Sequence, residues 1–279
     1  MSKKGRRLRI IRVDDDPEYK VALGSILVSL LEPAPGSARD FNRWYERDHF
    51  YAGCMTGKNF FAGRRFVATR ALKDLRYPAS SNAVPDTSIG SFLALYWMER
   101  GHHRETEAWA VERVLWLGAN GRMDGGGGRK AVHASFYAHR WTACRDLDGV
   151  PPEVALDHPF TGVVMVISER PEGVSAETRE SWLLEEYLPK RLPGSDAALC
   201  LSLDPLQLPA ESPAYVAPEP GSERRGLELY FLDRDPSEGW DALFGGLAEA
   251  HAAAGMGEIA FAAGFIPTLP GTDRYTDEV

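Results

Sequence analysis

Residues 41–49 read Phe41-Asn-Arg-Trp-Tyr-Glu-Arg-Asp-His49, and a shorter echo returns at Trp182-Leu-Leu-Glu-Glu-Tyr187. Laid on each other, Trp44 matches Trp182 and, five residues on, His49 faces Tyr187. The match predicts a duplicated unit in which only the first copy keeps an ionisable ring at that point. Phe41, Trp44, Tyr45, Asp48 and His49 have the spacing of one helix face. Ser37-Ala-Arg-Asp40 ahead of them resembles a capping box, a side-chain oxygen satisfying free amides at a helix start. Gly53 marks the expected helix end.

Outward from this helix the chain follows a fixed order. Residues 24–31 are an apolar run closed by Pro33 and Pro35, a buried strand. Residues 59–70, rich in aromatic and β-branched types, predict a second strand. A loop follows over 75–88, then a third strand over 91–99. A helix is expected over about 104–118, with Ala108, Val111, Val114 and Leu115 on one side. Gly125–Gly128 reads as a flexible loop before a fourth strand over 131–142. The order β-α-β-β-α-β is the split pattern of a ferredoxin-like sheet backed by two helices.

The second half repeats that order. It has a strand over 162–168, a helix over about 175–191 and a strand over 197–203. After a Pro-rich loop from Pro205 to Gly221 come a strand over 226–233, a helix over 237–254 and a strand over 258–266. Glu32 keeps step with Glu169, Tyr96 with Tyr230 and Trp109 with Trp240. The predicted class is therefore α+β with two tandem ferredoxin-like domains, 23–145 and 161–279. An arm over 1–22 precedes them, and a linker over 146–160 carries Pro151, Pro152 and Pro159.

The net charge of −8 disfavours general nucleic-acid binding. The basic N-terminus (Lys3, Lys4, Arg6, Arg7, Arg9, Arg12) gives way to Asp14-Asp15-Asp16 and reads as a solvated arm. No apolar run approaches the roughly 18 residues of a membrane span. Cys54, Cys144 and Cys200 form no CxxC pair, which points to neither a disulfide framework nor a zinc knuckle and fits a reduced, cytoplasmic setting.

Three stretches carry a family resemblance: Phe41 to His49, Phe60-Phe61-Ala-Gly-Arg-Arg-Phe66, and Leu93-Ala-Leu-Tyr96. With them the chain resembles the dimeric α/β-barrel superfamily and, within it, the EthD-like group. The likeness covers about 22–142. It extends to 160–270 by topology, Trp182 and Leu229-Tyr230-Phe231, and the closing segment Phe265 to Asp277 resembles the tail of two-repeat relatives. The resemblance implies two sheets packed face to face as a barrel, here a pseudo-dimer within one chain. A homodimer of such chains is equally compatible. The superfamily holds lactone isomerases, polyketide cyclases, cofactor-free monooxygenases, haem-handling enzymes and stress proteins, so fold alone does not select a reaction. Some EthD-like isomerases place a helix histidine at this point, beneath the sheet, as acid or base.

His49 is accordingly the first catalytic candidate, since an imidazole titrates near neutrality. In the fourth strand His133, Ser135, Tyr137, His139 and Trp141 share one parity and Val132, Ala134, Phe136 and Ala138 the other. One face is thus a polar row, absent from the counterpart strand 259–265. Arg64 and Arg65 lie on opposite faces of their strand; Arg65 is the candidate for a carboxylate or enolate oxygen, with a surface ion pair as the plain alternative. Tyr96 is a candidate donor to a carbonyl, although its match at Tyr230 also fits packing. Cys54 is a further possible acid. His102-His103 reads as solvent-facing and His251 as a core edge. The chain has no GxGxxG, P-loop or GxSxG motif and no metal-ligand spacing.

These features lead to an expected cofactor-independent enzyme with neither metal, nucleic-acid partner nor membrane contact. It would act by histidine acid/base chemistry on a small apolar cyclic or polyketide-like metabolite, as an isomerase, cyclase or lyase. His49 would work with His133, Tyr137 or His139; Trp44, Tyr45, Phe61 and Trp141 would wall the pocket, with Arg65 and Tyr96 on the substrate. The alternatives are a cofactor-free monooxygenase using the same residues and a non-catalytic ligand-binding or stress-related barrel protein.

Overall fold

Along the strand β2 (Leu23–Pro33), Ile26, Val28 and Leu30 point one way and Leu27, Ser29 and Leu31 the other. Such alternation turns each strand into a wall with two faces. The computed structural model describes residues 7–123, 125, 127–207 and 221–279. Lys3, Lys4 and Arg6 of the basic N-terminus, Gly126 of the glycine run and residues 208–220 of the expected Pro-rich loop lie outside the described residues.

The other strands are β1 (Arg9–Arg12), β3 (Phe60–Val67), β4 (Phe92–Glu99), β5 (Arg129–Cys144), β6 (Gly162–Glu169), β7 (Ala197–Pro205), β8 (Arg225–Leu232) and β9 (Glu258–Pro267). Eight of them run antiparallel in the order β5-β2-β4-β3-β9-β6-β8-β7 and close through β5–β7 pairing into a barrel. The two half-sheets, β5-β2-β4-β3 and β9-β6-β8-β7, have the same internal order. One seam is long, with β5 and β7 paired from Tyr137 to Cys144; the other is only Phe66–Pro267 and Val67–Ile266.

The inward residues of all eight strands form one apolar core, including Ile26, Leu95, Trp97, Met165, Leu229 and Phe261. A barrel of this strand number is just wide enough for side chains to fill, and each fully buried large residue contributes about 1.5–3 kcal/mol. Helices cover the outer faces. Over the first half lie α1 (Ala38–Trp44) and α3 (His103–Ala119), with the short α2 (Arg70–Lys73) at the seam. Over the second lie α4 (Ala176–Trp182), α5 (Leu188–Arg191), α6 (Pro236–Leu243) and α7 (Leu247–Ala253). Each outer face carries its own apolar cluster. Among the described residues no helix is long and apolar enough to cross a membrane.

Several expectations need correction. The arm is not wholly free, because Arg9–Arg12 pairs with Trp141–Cys144 on β5. Since β7 occupies the other edge of the same residues, β1 extends the edge beside β2. Ser37 makes no capping bond; its hydroxyl donates to Ala34 O. The helix expected over 237–254 is broken at Gly246, whose φ of 72° an L side chain rarely adopts. The inner side of α3 is Thr106, Glu107, Ala110 and Leu117, while Ala108 and Leu115 face solvent.

The largest departure is in the signature helices. After Trp44 the helix continues as π-helical turns over Tyr45–His49 and Tyr51–Met55, and after Trp182 over Leu183–Tyr187. Phe50 N donates to Tyr45 O and Leu188 N to Leu183 O, both five residues back. In an α-helix, residues five apart sit about 140° around the axis. The wider turn closes that angle, so Trp44 stacks on His49 at 4.6 Å and Trp182 lies against Tyr187 at 5.1 Å. The five-residue spacing in the sequence therefore corresponds to a ring pair in both halves.

Candidate functional site

His49 is held on several sides. Its ring lies 20° from the plane of Trp44 and edge-on to Tyr45 at 5.0 Å. Gly53, a turn later, leaves room for it: a Cβ there would stand 3.3 Å from His49 Cε1. Trp44 is itself fixed, its Nε1 donating to Arg122 O at 3.2 Å and the Arg129 guanidinium lying 4.8 Å over its ring. Gly125 packs so closely on Trp44 that an added Cβ would meet Cδ1 at 1.9 Å. Asp48 pairs with Arg122, not with His49, as neighbours diverging on a helix require. The Nδ1 of His49 is buried without a hydrogen-bond partner among the described residues. Burial, with the Arg129 charge next in importance, pushes its pKa down to about 3, so the ring is neutral at pH 7.

The ring borders a cavity of about 100 Å³ between the first half's outer sheet face and its helices. Leu27, Ser29, Ala134 and Phe136 form the sheet side, and Val111 and Val114 of α3 form the helix side. Tyr96 on β4 donates to the Tyr45 hydroxyl at 3.0 Å, and both residues border the cavity. Burial raises the Tyr45 hydroxyl and the Cys54 thiol to about 12, so both stay protonated and Cys54 is a reluctant acid.

The polar row on β5 does not join His49. His133 and Tyr137 pair with the inward-facing Leu30 and Ile26, so they lie on the barrel side of the sheet, opposite the His49 cavity. There His133 Nε2 and Tyr137 Oη are 2.8 Å apart, and burial, with the Arg225 charge, lowers His133 to about 4. His139 borders a different cavity at the barrel end, together with Phe61, and its Nε2 lies 2.9 Å from Thr142 Oγ1. The pairing register shifts between His139 and Trp141, which swings Trp141 outward into the second half's cluster. Phe61, Trp141, His133, Tyr137 and His139 are therefore all displaced from the pocket expected around His49.

Trp44, Tyr45 and Tyr96 do gather around His49. Arg65 lies one layer behind, its guanidinium 4.6 Å over the Tyr45 ring. Neither Arg64 nor Arg65 forms an ion pair among the described residues; Arg64 donates to Leu156 O and His158 O near the linker. His103 is not solvent-facing, since its Nδ1 lies 3.0 Å from Ser25 Oγ and its Nε2 3.6 Å from Glu107. His251 is buried edge-on to Trp182.

Arg129 is the site residue that sequence parity missed. A register shift between Leu30 and Leu31 lets β5 change face, so Arg129 and Ala131 point outward with Ala134 and Phe136. Its position at the exit of a glycine run was the available signal. Among the described residues no group of three or more His, Cys, Asp or Glu is placed to hold a metal.

No family model matches the chain, and no curated protein matches it in sequence. Solved structures do match. An anthrone oxidase-like protein superposes with a TM-score of 0.52 at 11% identity, covering 95% of this chain and 98% of that one. A putative chlorite dismutase, TA0507, gives a TM-score of 0.50 at 11% identity over 92% and 100% of the two chains. At such identities the likeness is one of fold, and the fold is that of the dimeric α/β-barrel proteins.

Proposed function

We propose that the chain is an enzyme of the EthD-like kind, built of two ferredoxin-like units over 23–145 and 161–279, with its chemistry confined to the first. The reaction is proton transfer, as in an isomerisation, cyclisation or elimination, without a cofactor. The observation that carries this reading is His49: a neutral imidazole, fixed by Trp44 and Tyr45, bordering an apolar cavity with no partner on Nδ1 among the described residues.

The imidazole accepts a proton from a carbon or oxygen acid, and the Tyr45 hydroxyl donates to the oxygen on which negative charge develops. Burial and Arg129 oppose a positive charge on His49 in the free protein. A substrate anion formed beside it reverses that balance, because opposite charges in a water-poor cavity attract strongly.

A cavity of about 100 Å³ is below the ~150 Å³ that holds a benzene ring. It is also smaller than common ligand pockets, roughly 300–1,000 Å³. The substrate is therefore at the small end of the class expected from sequence, well short of a multi-ring polyketide. A haem macrocycle does not fit this space.

Deuterium exchange from D2O into small ketones, lactones and unsaturated acids tests the proposal without knowledge of the product. Exchange that disappears in His49→Ala, with folding intact by circular dichroism, is expected; full exchange by that variant contradicts it. A second reading, direct reaction of a deprotonated substrate with oxygen, is favoured by the likeness to the anthrone oxidase-like protein. Substrate-dependent oxygen uptake separates the two.

A further inference from the structure

Four well-buried arginines lie in or against the sheet, and three of them are plainly structural. Arg225, on β8, pairs with Glu169 at 3.5 Å. Arg76 donates to Thr87 O, Ile89 O and Gly90 O through both terminal nitrogens. Arg179, 4% exposed, pairs with Glu228, itself 1% exposed. Arg65 differs from these three. At 6% exposed, it donates to Asn42 Oδ1 at 2.9 Å and makes a long contact of 3.4 Å to Asn42 O. It otherwise rests on the rings of Tyr45 and Phe92. Its Nη2 is buried with no partner, and no carboxylate pairs with it among the described residues. Glu46, which adds a favourable field, spends its carboxylate on Gly271 N and Arg47.

Arg129 adds a second uncompensated cation, directly on the cavity wall. One of its terminal nitrogens donates to Met123 O, and the other makes only a 4.0 Å contact with Met123 Sδ. No carboxylate pairs with it among the described residues. His49, within the field of both cations, carries no charge at neutral pH. The cavity is thus neutral in its base, with two arginines nearby that no carboxylate pairs among the described residues. A buried cation left unpaired is costly unless something else satisfies it.

We infer that the cavity beside His49 takes a small organic acid as its carboxylate, gripped by Arg129 and held by the field of Arg65 behind Tyr45. This rests on the reading of that cavity as the reaction site and names its substrate class. A guanidinium offers two parallel N–H donors to a carboxylate, a geometry a neutral amide cannot match. Arg65 acts through Tyr45 as a positioning residue, and Arg129 makes the contact.

The experiment uses charge isosteres of matched shape, small enough for the cavity: acetate against acetamide, and propanoate against propanamide. Binding is measured by calorimetry and by thermal shift on the full chain and on Arg129→Met and Arg65→Met. Each carboxylate is expected to bind at least about tenfold more tightly than its amide, or 1.4 kcal/mol. Arg129→Met should erase that preference. Arg65→Met should weaken it and raise the melting temperature of the free protein, because a buried unpaired charge is removed. Equal binding of acid and amide overturns the inference. So does an Arg65→Met variant that melts lower yet keeps the full preference, which would make Arg65 a packing residue.

The outcomes separate this inference from catalysis. Carboxylate binding without His49-dependent exchange would remove the enzyme reading and leave the anion site standing. His49-dependent exchange of neutral ketones, indifferent to both arginine variants, would do the reverse.

Discussion

Each half of the barrel buries an arginine between sheet and helix, and the halves treat its charge differently. In the second half Arg179 comes from α4 and meets Glu228 on β8. Leu183, Leu188 and Phe244 pack around that face, and Tyr187 fills the position of His49. In the first half Arg65 comes from β3 and meets an amide. A cavity is left on the far side of Tyr45, bordered by the His49 ring. Both helices carry a π-turn that brings a ring five residues on against the tryptophan, so this helix geometry belongs to the architecture and not to the chemistry. Each half leaves a buried imidazole Nδ1 without a partner among the described residues, His49 in the first and His251 in the second. What distinguishes the first half is a cavity bordered by that ring and a nearby arginine with no carboxylate partner among the described residues. A charge that is closed off reads as scaffold, and one left open reads as a place for a ligand.

The sharpest way to break this contrast is to open the closed pair. Glu228→Gln should strand Arg179 in the second half and cost about 3–5 kcal/mol in chemical denaturation. Carboxylate binding in the first half should survive it. A small stability change would mean that the pair is not what closes that face.

Acid should act on both halves but chiefly on the first, which holds three of the four rings concerned. Burial lowers His49 and His251 to about 3, and His133 and His139 to about 4, from an ordinary value of 6.5. The unfolded chain then binds more protons than the folded one below pH 6.5. Stability is full above that pH and falls as pH drops toward the folded values. At pH 5 each ring should cost about 2 kcal/mol. Denaturation curves of His49→Gln and His251→Gln, followed from pH 7 to 5, should each be flatter by that amount. Unchanged slopes would show that the rings are better solvated than their burial implies.

Tyr187→His copies the first half's ring into the second. It should cost about 1–3 kcal/mol, because a polar ring enters a packed apolar cluster without a partner, and it should create no carboxylate site. New binding there would show that the histidine alone makes the site. Gly53→Ala should have the smallest effect on stability. Its Cβ, 3.3 Å from the His49 ring, should tilt the imidazole and slow proton exchange about tenfold, given that a 1 Å misplacement can cost about a hundredfold. Wild-type exchange in that variant would mean the ring's orientation is not critical.

Strand alternation and the matched landmarks made the order of both halves legible from sequence. The ring pair was visible too, as Trp44 with His49 and Trp182 with Tyr187. The reason those rings touch was not visible, since i→i+5 bonding has no compositional mark distinguishing it from an α-helix. Parity reading failed on β5 for a definite cause. Two register shifts, at Leu30/Leu31 and His139/Trp141, each move a residue across the sheet. One hid Arg129 from the site and the other placed Trp141 wrongly within it. Arg65 was legible as a possible anion binder. Its lack of a carboxylate was not, because that depends on what the fold brings to it.

The most direct measurement is methyl NMR of Leu-, Val- and Met-labelled protein titrated with propanoate. Shifts are expected to be confined to Leu27, Leu31, Val111, Val114 and Met123, which border the His49 cavity. Shifts centred instead on Leu183, Leu188 and Leu243 of the second half, or on Leu201 and Leu229 inside the barrel, would contradict it.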